Sequence, residues 1–433
     1  MSRDGIGRWA VVALWLLFGV AYALRTPPWQ APDEPAHYRY VAQLAAGQMP
    51  RMESADYDQA AQAAAVSDRF GPDSSLDAGF SYEDYQPPLY YLLLTPVFRL
   101  TEGNLYALRL VSVLLGAGVV WLAHGCGRLL FPQRPWLALT LALFVALLPQ
   151  HLAILSTLNN DALAVLLVAA LLWLLLRHPV GRSPRADLLI GFLLGLTFLT
   201  KVTASLMAGV IGLLWLGQGF HRGTVRSGVR LFAPALALGL LWWVRNALVY
   251  PGPDFLGVQM HDAVVTGQLK SAEWIADRGL ASLLTALLQT TFRSFWGQFG
   301  WMAAPFPGWV WPPLWLFSAL VGAGLIVSWT RRARWSAERR RQVTILALLV
   351  GFNLALYLTY NVQYVQHQGR YFFVSLIPLA AGVAVGSGFW WGLVARYRPM
   401  LWWLLPVALA VGLAGLNLFA LLRILPCLRH AAC

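Results

Sequence analysis

Charge is what this 433-residue chain has least of. Asp, Glu, Lys and Arg together make up 12% of it, and lysine occurs twice, at Lys201 and Lys270. Cysteine is scarcer than in most domains of this size: Cys126, Cys427 and Cys433 show no metal-ligand spacing. A bridge between Cys427 and Cys433 is open to the chain only if its C-terminus faces an oxidising compartment. No GxGxxG, P-loop, CxxC or HExxH pattern occurs, which argues against a nucleotide, dinucleotide or zinc enzyme. Internal repeats and low-complexity linkers are missing too, so residues 1–433 read as a single domain.

What the chain has in abundance is apolar sequence. Hydrophobic residues make up 58%, tryptophans number 21, and the mean hydropathy is +0.58. Runs such as Trp9–Leu24, Ala162–Leu176, Leu231–Val244, Val343–Tyr360 and Leu401–Leu422 approach the roughly 20 residues that a spanning helix needs. The expectation is an all-α polytopic membrane protein. No small-residue cleavage pattern follows the first run, which reads as a retained anchor. The net charge of +13 raises nucleic acid as a partner, but the arginines sit in short loops between spans and form no continuous patch. Nucleic acid is therefore not expected.

Charge asymmetry predicts topology. Arg3 and Arg8 precede the first span, whereas residues 26–86 carry ten acidic side chains against Arg39, Arg51 and Arg69. By the positive-inside rule the N-terminus is cytoplasmic and the 26–104 loop lies outside. If Pro87–Leu100 is an interfacial helix that does not span, 18 of the 32 basic residues fall in short cytoplasmic segments; if it spans, the later loops face outward. The first arrangement is the better one. It gives eleven spans, at 9–24, 105–124, 136–150, 162–176, 187–200, 203–219, 231–248, 312–329, 343–360, 371–394 and 400–422, in the cytoplasmic membrane with the C-terminus outside.

The outer face then gathers the residues able to do chemistry. Asp33 and Glu34, in Pro32-Asp33-Glu34-Pro35-Ala36-His37, read either as solvated helix-start carboxylates favoured by the helix dipole or as a general base for a hydroxyl acceptor. Lys201, Arg245 and Arg370 are isolated cations next to apolar runs. Singly, each reads equally as a residue snorkelling to lipid headgroups; jointly, on one side of the membrane, they suit a phosphate. Asn159-Asn160-Asp161 reads first as a helix cap, with Asp161 as an alternative second acid. The aromatic segment Thr291–Trp301, containing Arg293 and Trp296, reads first as an interfacial belt and otherwise as a stacking surface for a sugar ring.

Taken in order, Pro32-Asp33-Glu34, Gln86-Pro87-Pro88-Leu89-Tyr90-Tyr91, Leu199-Thr200-Lys201 and Gly369-Arg370-Tyr371 resemble the GT-C glycosyltransferases. The likeness is to bacterial relatives of the protein O-mannosyltransferases and the lipid A aminoarabinose transferases, and it covers most of the chain. It implies a GT-C-like bundle with interfacial helices in the first outer loop. It also implies transfer of a sugar from a polyprenyl-phosphate donor to a glycan or lipid acceptor at the outer face. On that resemblance Asp33 is the base, Glu34 supports it or shares a divalent cation such as Mg or Mn with it, and Lys201, Arg245 and Arg370 neutralise the carrier phosphate. A single base with in-line displacement implies inversion. Tyr85-Gln86 replaces the Glu-Lys pair of the aminoarabinose transferases, so a phosphate or metal contact is missing or is supplied elsewhere, for example by Asp84 or Arg293; His37 and Gln86 are further candidate site residues. A transporter of polyprenyl-linked glycans, or a non-catalytic envelope-assembly protein, are the alternatives. The first requires inverted repeats, and the second requires Asp33 and the three cations to lie scattered.

Overall fold

The computed structural model describes residues 3–71, 76, 79–219, 221–330, 335–396 and 398–429. Arg331, Arg332, Arg334 and Cys433 lie outside the described residues, and so does the bridge to Cys427. Helices dominate, in the order α1 Arg3–Arg25, α2 Glu34–Ala45, α3 Gln59–Ser67, α4 Leu89–Leu100, α5 Leu105–Leu130, α6 Pro135–Leu147, α7 Pro149–Leu155, α8 Asp161–Arg177, α9 Pro184–Phe198, α10 Leu206–Leu216, α11 Arg222–Val249, α12 Val258–Val264, α13 Ser271–Arg278, α14 Leu280–Trp296, α15 Trp311–Trp329, α16 Ala337–Gln363, α17 Leu376–Ala395 and α18 Leu404–Phe419. Among the described residues the only sheet is a hairpin pairing Gln298–Phe299 with Ala304–Pro305.

All eleven apolar segments are helical, but they are not alike. Seven are long and apolar enough to cross a bilayer: those containing α1, α5, α11, α15, α16, α17 and α18. Helices α6 and α7 form an eighth candidate, bent by 57° where Pro149 interrupts the hydrogen-bond ladder. The segments expected at 162–176, 187–200 and 203–219 are shorter: α8 has 17 residues, α9 has 15, and α10 has 11 after a 3₁₀ turn at Val202–Ser205. At 1.5 Å per residue such lengths fall short of the roughly 30 Å hydrocarbon core. The chain is a multi-pass membrane protein with seven candidate spans by length and composition, or eight with the bent pair, and the expected count of eleven is not confirmed. Helix α4, 12 residues long, is too short to cross, in keeping with the expected non-spanning Pro87–Leu100. It buries Tyr90, Tyr91 and Leu94 against α2 and leaves Leu92, Leu93 and Leu100 exposed.

At the centre stands α6, hydrophobic all round and buried along nearly its whole length, with α1, α5, α17 and α18 around it. Helices α15 and α17 cross through glycine. A Cβ on Gly386 would collide with the carbonyl oxygen of Val321, and one on Gly324 with that of Gly386. Gly386→Leu is therefore expected to part the two helices and cost about 1–3 kcal/mol, read as a lowered melting temperature of the detergent-solubilised protein; an unchanged melt would disprove the close crossing.

Arginines mark one end of the bundle. Arg8 donates to His124 Nδ1, Arg339 to the carbonyl of Leu130, and Arg341 to those of Leu175 and Leu176. These residues close the same ends of α1, α5, α8 and α16. Asp33, Asp161, Lys201 and Arg370 sit at the other end, so the two charge sets separated on the sequence are also separated in space.

Candidate active site

The acidic motif splits its two carboxylates in opposite directions. Asp33 occupies the left-handed region at φ 67°, immediately before α2, and Pro35 fixes the first turn of that helix. The reversal sends Asp33 toward a cavity of about 550 Å³ and Glu34 into the bundle. In the cavity, Asp33 Oδ2 accepts from Arg370 at 2.7 Å and Oδ1 from the Tyr82 hydroxyl at 3.3 Å. Burial favours the neutral acid, but the charges of Arg370 and Lys201 outweigh it and hold the Asp33 carboxyl below the usual range.

Glu34 never reaches the cavity, which corrects its expected catalytic or metal-sharing role. Its side chain is fully buried and pairs with Arg109 through two contacts, 2.8 and 2.5 Å long. The backbone N–H groups of Trp29 and Leu158 also donate to it. Arg109 spends its remaining donors on the carbonyls of Ala23, Thr26 and Pro27. Both groups are saturated, and together they bind the C-terminal end of α1, the start of α2, α5 and the approach to α8. A cation held between Asp33 and Glu34 therefore has no geometric basis. Among the described residues no group of three His, Cys, Asp or Glu side chains is placed to hold a metal ion.

Two of the three expected phosphate ligands do converge. Lys201 lines the cavity and pairs with Asp161 at 2.6 Å. Arg370 enters it from a 3₁₀ turn at Gly369–Ser375, where Gly369 lies against the backbone of Thr291 and Phe295 so closely that no Cβ fits. The Gly369 N–H donates to Ser294 Oγ at 2.7 Å, fixing the turn on α14. Arg370 Nε and Nη1 remain buried without a partner.

Arg245 is elsewhere. It donates to the carbonyl of Pro50 and to Asn246 Oδ1, and it lies over the rings of Trp242 and Tyr250. It fastens the 26–104 loop to α11 and does not line the cavity, so its expected phosphate role is corrected to a structural one. Arg293 is exposed beside Trp311. Trp296 lines a separate, open apolar cavity of about 840 Å³ walled mainly by α14–α17. Neither faces Asp33, whereas Trp301, at the tip of the hairpin, does line the polar cavity.

The remaining motif residues brace the site. Pro87 and Pro88 have no N–H, and the first free one, on Leu89, donates to the carbonyl of Leu199 at 2.8 Å, tying the Pro-Pro-Leu motif to the Leu-Thr-Lys motif. The Tyr90 hydroxyl meets Ser112 Oγ and the Asn159 N–H; that of Tyr91 meets His37 Nδ1 and Asn160 Nδ2. Burial depresses His37 to about 3, so it is neutral and serves as a hydrogen-bonding strut. Asn159 Oδ1 accepts from the Asp161 N–H in an Asx turn ahead of α8, whose N-cap residue, Asn160, makes no side-chain cap bond, and Asp161 carries the cavity carboxylate that holds Lys201. Asp84 is buried on Gln43, away from the cavity, while Gln86 lines it.

Residues 85–244 match the family model described as dolichyl-phosphate-mannose-protein mannosyltransferase. ArnT from Cupriavidus metallidurans, solved with undecaprenyl phosphate, superposes with a TM-score of 0.55 at 16% identity, over 97% of this chain and 73% of that one. The chain has the GT-C fold. Its similarity extends to the Archaeoglobus fulgidus oligosaccharyltransferase tethered to an acceptor peptide, with a TM-score of 0.53 at 14% identity over 98% of this chain and 54% of that one. The chain thus spans about half the length of that GT-C relative. No curated protein sequence matches it.

The matched stretch holds the Pro-Pro-Leu motif, Asp161 and Lys201, but neither Asp33 nor Arg370. Within the GT-C fold those two are brought to it by α2 and by the 369–375 turn. Sequence reasoning missed Glu83, which lines the cavity, and Arg109, the partner of Glu34. For Arg109 there was a signal: an arginine inside the apolar run at 105–124 needs a buried partner.

Proposed function

We propose that the protein is an inverting membrane glycosyltransferase. It takes a sugar from a polyprenyl-phosphate donor and passes it to a glycan or lipid acceptor at the outer face of the cytoplasmic membrane, with Asp33 as base. The observation that carries this reading is the convergence of Asp33, Asp161, Lys201 and Arg370 on one cavity. Two cations there stand ready for the leaving phosphate, and Arg370 keeps two nitrogens free for it while still holding Asp33. The apolar cavity next door shares Tyr357 with the polar one and offers a place for a lipid tail. The acceptor oxygen bonds to the anomeric carbon, the bond to the carrier phosphate breaks with its electron pair leaving on the phosphate, and the acceptor proton passes to Asp33. The family match and the solved GT-C structures support the same class of donor. A non-catalytic scaffold would have left these side chains scattered, and of the four residues compared only Arg245 stands apart.

Binding of undecaprenyl phosphate to the purified protein in nanodiscs tests the donor. Lys201→Met and Arg370→Gln should each weaken it by roughly 10- to 100-fold, the worth of a charge-assisted hydrogen bond. Arg245→Gln should leave it nearly unchanged. Equal affinity in all four proteins would eliminate the polyprenyl-phosphate reading.

A further inference from the structure

Three oxygen atoms in the cavity have nothing to accept. Glu83 Oε2, Gln86 Oε1 and Gln268 Oε1 are each buried without a hydrogen-bond partner, and all three residues line the cavity that contains Asp33 and Lys201. An unmet buried acceptor is destabilising, so a group of them is retained where a ligand supplies the hydrogens. Gln86 Nε2 donates to the Tyr85 hydroxyl at 2.9 Å, and the Gln86 side chain lies within hydrogen-bonding reach of the Glu83 carboxyl. Glu83 has oxygens at both positions, so no amide flip relieves it.

Nearby cations do not claim Glu83 either. Lys201 is paired with Asp161, and His261 Nδ1 with Asp262 at 3.0 Å. Burial, reinforced by the charge of Asp33, raises Glu83 to about 7, so near neutrality its carboxyl both accepts and donates. The unmet donors, Arg370 Nε and Nη1, belong to the cationic pair that suits a phosphate. The cavity is therefore provided with unmet donors for an anion and with unmet acceptors for a hydrogen-rich group.

We propose that Glu83, with Gln86 and Gln268, forms the subsite that receives the hydrogen-bond donors of the transferred sugar, its ring hydroxyls or an ammonium group, while Lys201 and Arg370 hold the phosphate. This rests on the transferase reading and names the part of the cavity that separates a loaded carrier from a bare one.

The test compares affinities of the full-length protein in nanodiscs for bare undecaprenyl phosphate and for the same carrier bearing glucose, mannose or glucosamine. The wild type should bind at least one loaded carrier about tenfold more tightly than the bare one. Glu83→Leu should bring that ratio to one while changing the bare-carrier affinity by less than twofold, which also certifies its fold. Glu83→Gln, which keeps an acceptor oxygen but no charge, should retain the preference if the sugar presents hydroxyls and lose it if the sugar presents ammonium. A preference that survives Glu83→Leu, or bare and loaded affinities that fall together, overturns the subsite. So does a wild type that binds every carrier equally, in which case the donor reading stands. A wild type that binds no carrier removes both.

Discussion

Arg109→Met should leave little folded protein, because Glu34 would then be a buried carboxylate with no countercharge. Breaking a buried pair from one side costs about 3–5 kcal/mol, a large part of the stability of most folded chains. Here the loss is compounded: Arg109 also satisfies the carbonyls of Ala23, Thr26 and Pro27, the last turn of α1 and the strand of chain that follows it. Glu34→Gln should be nearly as damaging, since the buried Arg109 would lose its countercharge and the two donors that now meet the carboxylate would face a single amide oxygen. The double variant Glu34→Leu/Arg109→Met should recover much of the loss, because paired removal leaves neither charge stranded. Yield and thermal melting in detergent read the effect. A Glu34→Gln protein that melts like the wild type but does not transfer would instead restore Glu34 to the chemistry.

That pair shows where the sequence was legible and where it was not. The apolar runs announce the bundle, and charge asymmetry alone separates Arg8, Arg339 and Arg341 from Asp33, Lys201 and Arg370. Neighbours in sequence misled. Asp33 and Glu34 looked like one acidic site because they are adjacent, yet a single left-handed residue turns one to the cavity and the other to Arg109, 75 positions away. Nothing local in Ala31–His37 specifies that φ. Arg245 had the same flanking pattern as Lys201, an apolar run and an outer loop, and differs only in what folds over it, namely the carbonyl of Pro50. Glu83 lay in an irregular segment, where no periodicity says which way a side chain points. Span counts were harder to read, because hydropathy registers apolar residues turned to protein and to lipid alike: α8 is packed inside the bundle, whereas α9 and α10 leave Leu188, Leu189, Phe192, Leu213 and Leu216 exposed.

Asp33→Asn should cut sugar transfer by about 100- to 10,000-fold, the usual contribution of a positioned base, while leaving carrier binding intact. Asparagine is the informative substitution because, like aspartate, it tolerates the left-handed backbone that position 33 adopts. Alanine would add roughly 1–2 kcal/mol of local strain and blur the result. In the resting site Asp33 is a poor base, since Arg370 holds its proton affinity down. A donor phosphate that draws on the same guanidinium loosens that hold, raises the carboxyl toward its ordinary range and so strengthens the base only when a sugar is present to receive the acceptor. Asparagine removes the base and releases Arg370 at once. Turnover of a labelled sugar in proteoliposomes should therefore fall while undecaprenyl phosphate binds as well as before, or more tightly. If instead affinity and turnover drop together, Asp33 serves to position Arg370, and the proton must go to another carboxylate of the cavity.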